Sequence, residues 1–185
     1  MRILIYLISS MLLFACCKKQ SEMAVNFNCK KTNIHNLEVI NDVKKTFSVA
    51  YPKNWKTNLY FDENQSSIFT ADTTKQLTET VLLDISFINK EVNFNDSFKL
   101  QQEQESLSKN LIQTTSKEIK LLNKPTYYTI SKGKKGKFPY QICTIFIKIK
   151  NHNFILAKTE VYGDDQINER MCQGVNLIEK IQIHH

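Results

Sequence analysis

The side chains that could act as nucleophiles, bases or metal ligands are scattered through this chain of 185 residues. The four histidines are His35, His152, His184 and His185. No two have the i, i+4 spacing of a helical zinc site, and there is no His-Glu-x-x-His run. The Gly-x-Ser-x-Gly turn of many hydrolases is also absent, and a serine or cysteine nucleophile needs a base held by a third group. The sequence therefore predicts neither an enzyme nor a metal or other cofactor, and it leaves open a hydrolase site assembled from distant residues.

An uncharged apolar run, Ile3–Ala15, opens the chain and ends at Cys16. With one arginine before it, the run has the length and flanks of a signal-peptide core, and it is shorter than the roughly 20 residues of a membrane-spanning helix. Residues 13–16, Leu-Phe-Ala-Cys, resemble the lipobox of bacterial lipoproteins. In that family the cysteine thiol receives a diacylglycerol and becomes the new N-terminus after cleavage. The resemblance implies a signal peptide over residues 1–15 and an acylated Cys16.

Acylation of Cys16 would attach the protein to a membrane. Each buried methylene contributes about 0.8 kcal/mol and one acyl chain binds only marginally, so stable attachment needs two or three chains. A plain membrane-spanning anchor with a cysteine at its edge is the alternative. Residues 16–25 are polar enough to predict a short tether, and residues 26–185 then form one domain. We expect the protein in the bacterial cell envelope, anchored to a membrane and facing the periplasm or the cell surface.

The remaining cysteines are Cys17, Cys29, Cys143 and Cys172. An exported protein can form disulfides, but four thiols allow three full pairings and the sequence does not decide among them. We favour Cys29 with Cys172, a pair that would tie the N-terminal arm to the last predicted helix. Cys143 alternates with isoleucines, which predicts a buried position on a strand. No Cys-x-x-Cys spacing occurs, so neither a thioredoxin-like site nor a zinc site is indicated.

The chain is basic, with 25 lysines and arginines against 18 acidic residues and a formal net charge of +7. Its densest basic segment, hereafter the basic hairpin, contains Lys132, Lys134, Lys135 and Lys137. Gly133 and Gly136 predict a tight hairpin tip there. Four lysines could contact anionic lipid, at about 1 kcal/mol each near a charged surface, or an acidic protein partner. A solvated tip without a partner is the simpler interpretation, and nucleic-acid binding is not favoured because no aromatic residues interleave with the lysines.

The hydrophobic pattern predicts strands, one helix, a run of hairpin-connected strands and a second helix. The strands are predicted at 47–52, 67–71, 81–88, 116–122, 126–132, 138–151 and 154–162. The helices are predicted at 96–113, with Phe98, Leu107 and Leu111 broadly on one side, and at 165–181. Short connections between the later strands predict antiparallel pairing. The fold class is therefore α+β, with a single mostly antiparallel β-sheet flanked by helices.

The segment Phe47–Trp55 has the form Phe-x-Val-x-Tyr-Pro-x-x-Trp. It resembles the phrase that opens the sheet of PsbP-like domains, whose later order of elements is also similar. The resemblance implies a PsbP-like α/β/α sandwich. Members are extracytoplasmic or thylakoid-lumen accessory proteins, or small bacterial lipoproteins. It implies binding or assembly rather than catalysis, and no catalytic residue is carried over from it.

The leading hypothesis is a lipid-anchored cell-envelope protein that acts as a non-enzymatic binding or assembly module. Its expected partners are the membrane, through Cys16, and another envelope protein, with no nucleic acid. The first alternative is a carrier of a small apolar ligand in a pocket between the sheet and a helix. That pocket would be lined by Trp55, Tyr127, Tyr128 and Phe138. The second alternative is an envelope hydrolase with a dispersed site. The sequence identifies no specific ligand or partner.

Overall fold

The computed structural model describes residues 21–30, 34–150 and 152–184. The expected signal peptide and the expected acylation site, Cys16, lie outside these ranges, as do Cys17 and His185. Within them, none of the helices has the length and hydrophobicity needed to cross a bilayer.

The described part of the chain contains three helices and ten strands. The helices are α1 (Glu22–Asn26), α2 (Asp96–Ser108) and α3 (Ile167–Ile178). The strands are β1 (Leu37–Asn41), β2 (Phe47–Pro52), β3 (Lys56–Phe61), β4 (Gln65–Ala71), β5 (Val81–Ile88), β6 (Leu111–Leu121), β7 (Lys124–Lys135), β8 (Phe138–Lys150), β9 (Asn153–Tyr162) and β10 (Gln182–Ile183).

The strands form two antiparallel sheets. Seven of them make a large sheet in the order β3-β4-β5-β9-β8-β7-β6, and β1, β2 and β10 make a small one. The α+β class and the antiparallel pairing are confirmed. The prediction of a single sheet is wrong, because β2 pairs with β1 and β10 rather than with the large sheet. Neither β1 nor β10 has an alternating apolar pattern long enough to be recognised in the sequence.

The main core lies on one face of the large sheet, hereafter the inner face. Side chains alternate across a strand, so every second residue of β8 and β9 points to this face. The inner face is covered by α3, through Met171, Val175 and Ile178, and by the small sheet, through Phe47, Val49 and Tyr51. Gly174 lets α3 approach β9 closely, since a Cβ at that position would lie 2.8 Å from the Cβ of Thr159.

The opposite, outer face of the large sheet is partly covered by α2. The prediction of a helix to residue 113 is wrong, because α2 ends at Ser108 and β6 begins at Leu111. Asn110 stops the helix in the left-handed conformation with φ 57°, and asparagine tolerates that region better than most residues. Leu107 is exposed rather than packed on the sheet. Thus α2 and α3 lie on opposite faces of the large sheet.

The predicted tether is ordered in its second half, because residues 22–26 form α1. Ser21 caps this helix by accepting a hydrogen bond from the Ala24 backbone N–H at 3.0 Å, and it donates a hydrogen bond to Glu179 at the end of α3. Met23 is fully buried in the main core. The main core therefore includes at least one residue of the predicted tether, Met23, which lies in a stretch of mostly polar sequence.

Candidate binding groove

A groove of about 620 Å³ lies on the outer face of the large sheet, beside α2. Its floor comes from β7, β8 and β9, one wall from α2, and the other wall from the loop between β5 and α2. Pockets that hold small molecules in proteins have volumes of about 300 to 1,000 Å³. The volume of the groove therefore falls in the range of pockets that bind small molecules.

Helix α2 is held over the sheet at both of its ends. Asn95 caps its N-terminus by accepting a hydrogen bond from the Phe98 backbone N–H at 2.9 Å. The Phe98 ring then packs edge-to-face on Phe146, with 5.1 Å between centroids. At the other end, the hydroxyls of Ser106 and Ser131 are hydrogen-bonded at 3.0 Å. These contacts fix one wall of the groove while most of the helix surface remains exposed.

The groove is lined mainly by polar side chains. Only seven of its 22 lining residues are aliphatic or phenylalanine. Thr129 and Thr144 lie side by side on the floor, and Lys158 next to them pairs with Asp84 at 3.3 Å. Gln102 contributes an amide from the helix wall. Such a lining matches a ligand that forms hydrogen bonds better than one that is wholly apolar.

One end of the groove carries a cluster of two tyrosines, a glutamate and a lysine, hereafter the tyrosine–glutamate cluster. Tyr140 donates its hydroxyl hydrogen to Glu160 at 2.7 Å, and the ammonium of Lys135 lies 3.5 Å from the same carboxylate. That ammonium also lies 4.9 Å from the centroid of the Tyr140 ring and 5.4 Å from that of Tyr162. The contacts combine an ion pair with cation–π attraction, and they leave the Glu160 carboxylate with two partners.

The cluster holds both titratable partners of Glu160 in their protonated forms. Burial, followed by the negative charge of Glu160, raises the pKa of Tyr140 above its ordinary value. Hydrogen bonding to Tyr162 and the charge of Glu160 raise the pKa of Lys135, against the opposing effect of burial. Neither side chain is therefore poised to act as a base near neutral pH.

Lysines outnumber acidic residues along the groove. Its lysines are Lys90, Lys109, Lys134, Lys135 and Lys158, and its acidic residues are Glu91, Glu105 and Glu160. Two of the lysines are in ion pairs, with Glu160 and with Asp84. Among the residues that the structure describes, Lys90, Lys109 and Lys134 have no carboxylate within ion-pair distance. The charge of the groove therefore favours an anionic ligand.

Two of the four lysines of the basic hairpin line the groove. Lys134 and Lys135 line the groove, whereas Lys132 does not, and Lys137 lies over the Phe138 ring at 5.2 Å from its centroid. Gly136 occupies the turn with φ 60°, as the predicted tip requires. Gly133 instead lies within β7, where a Cβ would come within 2.6 Å of the Asn110 carbonyl oxygen.

The four aromatic residues proposed for an apolar pocket lie in three different clusters. Trp55 and Tyr128 are buried in the main core on the inner face. Tyr127 belongs to an aromatic cluster on the outer face, and Phe138 packs beside Tyr140 and Tyr162. The separation of Tyr127 from Tyr128 follows from the alternation of side chains along β7. None of the four lines the groove, so the pocket expected from the sequence is not assembled.

The structure joins Cys29 to Cys172 in a disulfide, the pairing favoured from the sequence. Cys143 is buried in the main core, and burial raises the pKa of its thiol, which disfavours the nucleophilic thiolate. His35 and His152 are exposed. The ring of His184 is hydrogen-bonded to the Ser48 hydroxyl at 3.1 Å, without a described third group that would orient the ring.

No cluster of three or more potential metal ligands occurs within the ranges that the structure describes. The groove residues themselves were missed by sequence reasoning. A signal for them was present: Thr144 in β8 and Lys158 and Glu160 in β9 occupy the outer-face positions of otherwise apolar strands. Polar residues at one face of two adjacent central strands indicate water or a ligand above that face.

No known protein family matches the sequence, and no curated protein matches it. Solved structures do resemble it. The cyanobacterial PsbP protein CyanoP from Synechocystis sp. PCC 6803 gives a TM-score of 0.56 at 9% identity, covering 84% of this chain and 97% of that one.

The Ran-binding protein Mog1p of Saccharomyces cerevisiae gives a TM-score of 0.53 at 8% identity, covering 80% of this chain and 95% of that one. A protein from Bacteroides thetaiotaomicron gives 0.51 at 12% identity, covering 81% of this chain and 49% of that one. At these identities the likeness concerns the fold and does not extend to function. The chain therefore has an α+β fold like those of PsbP and Mog1p. The Phe47–Trp55 motif had predicted the likeness to PsbP.

Proposed function

We propose that this chain is a non-enzymatic binding or assembly module of a bacterial cell envelope, held at a membrane by an acylated Cys16. The groove beside α2 is its binding site, and the ligand or the part of a partner that enters it is polar and anionic. The groove carries this proposal, because it is open, most of the residues that line it are polar, and its lysines outnumber its acidic residues.

The fold is compatible with such a role. Mog1p, which has the same fold at 8% identity, is named as a Ran-binding protein, so the fold can serve to bind another protein. A carrier for an apolar ligand is less well supported, because the four aromatic residues proposed for it are dispersed and most of the residues that line the groove are polar. The hydrolase alternative gains no support from the exposed side chains of His35 and His152.

The groove can be tested by photocrosslinking in living cells. Gln102 lines the groove, whereas Gln104 lies on the same helix, is exposed and does not line it. A photoreactive amino acid at position 102 should capture a molecule several-fold more efficiently than the same amino acid at position 104. Filling the floor with Thr144→Trp should remove the captured product at position 102. Equal capture at the two positions would contradict the groove as the binding site.

The anchor can be tested separately, by feeding cells an alkyne-labelled fatty acid. Cys16→Ser should abolish labelling and release the protein from the membrane fraction. Cys17→Ser, a change of the same kind at the neighbouring position, should alter neither result. A protein that stays labelled and membrane-bound after Cys16→Ser would exclude the proposed anchor without affecting the groove.

A further inference from the structure

The strand β3 forms one edge of the large sheet. Several of its apolar side chains are exposed to solvent. Its only charged residue is Lys56, at its first position. Leu59, Tyr60 and Phe61 expose 42, 56 and 64% of their surface. An exposed apolar edge strand offers free backbone N–H and C=O groups to another strand, and proteins usually protect such edges with charges, prolines or bulges.

The other edge of the same sheet, β6, has this protection. Its pairing with β7 is interrupted by a register shift between Gln113 and Thr115. It also carries Lys117, Glu118 and Lys120 near its middle and end. β3 pairs with β4 without any register shift. The two edges of the sheet are therefore unequal, and β3 alone is suited to continue it.

The hydrogen bonds of the β3–β4 hairpin determine which β3 residues face outward. The Asp62 backbone N–H donates to the Gln65 carbonyl at 3.0 Å. Hydrogen-bonding positions alternate along an antiparallel strand, so Tyr60, like Asp62, directs its backbone groups toward β4. Thr57 and Phe61, and Leu59 between them, direct theirs away from the sheet.

This pattern is self-complementary. If two copies of β3 run antiparallel with Leu59 opposite Leu59 of the second copy, Thr57 lies opposite Phe61 at both ends. All of these positions face outward, so each pair can exchange two N–H···O bonds. Leu59 and Phe61 project to the same face of the sheet, because residues two apart in a strand do so. The same register brings the apolar side chains of both copies together.

The charges at the ends of β3 fit the same register. Lys56 of one copy then lies opposite Asp62 of the other, and by symmetry the pair occurs twice. Asp62 uses one carboxylate oxygen, Oδ1, to accept hydrogen bonds from the Asn64 and Gln65 backbone N–H groups in its own turn. Its other oxygen, Oδ2, accepts no described hydrogen bond. An opposite-charge pair directly across two strands favours the pairing.

We propose that β3 is a self-association surface, at which a second copy of this chain adds its own β3 and forms a continuous antiparallel sheet across a two-fold axis at Leu59. We assign the partner strand to a second copy of this chain for two reasons. The outward-facing backbone positions of β3 match those of an antiparallel second β3, and Lys56 and Asp62 of the two copies form opposite-charge pairs. The interface lies at the edge of the sheet and does not use the groove, so it is independent of the proposed function.

The test uses the full chain with a cysteine on the axis. Leu59→Cys should form a disulfide-linked dimer on mild oxidation, because residues directly opposite in a hydrogen-bonded pair have Cα atoms about 5.5 Å apart. The unmodified chain and Ile112→Cys, a residue 67% exposed on the β6 edge, should form no such disulfide-linked dimer. Thr57→Cys and Phe61→Cys should each fail alone and form a mixed dimer when co-expressed, which fixes the register.

A second measurement does not depend on cysteine chemistry. Leu59→Lys places two ammonium groups opposite each other and should weaken dimerisation of the purified full chain roughly tenfold or more, about 1.4 kcal/mol. Ile112→Lys on the β6 edge should leave the dimer unchanged. Crosslinking of Leu59→Cys to a different protein, or a chain that remains monomeric at all concentrations, would overturn self-association at β3.

Discussion

Tyr140 and Glu160 are joined by a hydrogen bond of 2.7 Å at one end of the groove, across β8 and β9. Lys135 adds an ion pair to the same carboxylate. The negative charge of Glu160 is thereby neutralised inside the protein rather than by a ligand. The lysine next in sequence, Lys134, lines the groove without a described carboxylate partner. The arrangement separates a structural lysine from one that is available to an anion.

The first prediction concerns the pH dependence of stability at this cluster. Burial and then the charge of Glu160 raise the pKa of Tyr140 above the 10.0 of a free tyrosine. Above about pH 10 the unfolded chain therefore loses a proton that the folded chain keeps, so the free energy of unfolding falls as the pH rises. Tyr140→Phe should lower that free energy by about 1 kcal/mol near neutral pH, and the decline above about pH 10 should become shallower.

Urea unfolding of both proteins over a series of pH values measures this difference. The buried Tyr51, whose pKa is also raised by burial, is present in both proteins and cancels in the comparison. If the two proteins lose stability equally steeply at alkaline pH, Tyr140 does not retain its proton in the folded state.

The second prediction rests on the proposed function and distinguishes two lysines of the basic hairpin. Lys134 lines the groove, and Lys137 lies in the turn outside it. Lys134→Ser should reduce photocapture at position 102 several-fold, because an anionic ligand loses an unpaired cation. Lys137→Ser removes the same charge from the same hairpin and should leave capture unchanged. Equal losses would indicate a general effect of net charge rather than a contact in the groove.

Strands with a regular apolar period were predictable from the sequence. The bounds predicted for β2 and β5 are those observed, and the predicted end of β8 is one residue too late. These three strands were recognisable because their apolar residues alternate or run continuously and are buried in the core. The disulfide partner of Cys29 was also chosen correctly. The strand bounds depend on local pattern, whereas the disulfide joins residues far apart in the chain.

Other features were not predictable from the apolar pattern of the sequence. The end of α2 is determined by the left-handed conformation of Asn110, which no apolar period reveals. Arg170 resembles a surface residue of a helix, yet it is buried and donates hydrogen bonds to the carbonyl oxygens of Thr80, Tyr162 and Asp165. The groove exists only because α2 covers part of a face whose polar residues come from separate strands. Its location required the order of strands in the sheet.

The third prediction concerns the disulfide between Cys29 and Cys172, which closes a loop spanning a sequence separation of 143 residues. Replacing both cysteines by serine should lower the free energy of unfolding by about 4 kcal/mol, because the unfolded chain regains the conformational freedom of a long loop. Urea unfolding of the double variant, and of the unmodified chain with and without a reducing agent, measures the effect. Protease cleavage near Lys30 should also become faster, since α1 is then held only by its noncovalent contacts. Unfolding at the same urea concentration with and without reductant would show that the disulfide does not stabilise the domain.

The fourth prediction concerns the packing of α3 on β9 at Gly174. Helix propensity alone predicts that Gly174→Ala stabilises the protein by about 1 kcal/mol. The new Cβ, however, would lie 2.8 Å from the Thr159 Cβ and 3.2 Å from Leu83 Cδ2, and closer still to the Thr159 hydroxyl. We expect a net loss of about 2 kcal/mol, the usual cost of overpacking a core.

A second substitution tests whether Thr159 is the cause of this loss. Its hydroxyl is buried and has no hydrogen-bond partner among the described atoms, so Thr159→Ala removes steric bulk without breaking a described hydrogen bond. In the double variant Gly174→Ala with Thr159→Ala, much of the stability lost in Gly174→Ala should return, and the coupling free energy of the cycle should be about 1 kcal/mol or more. Strictly additive effects in urea unfolding would mean that the helix moves away from the sheet as a whole. Recovery would show that the contact between these two residues sets the distance between α3 and the large sheet.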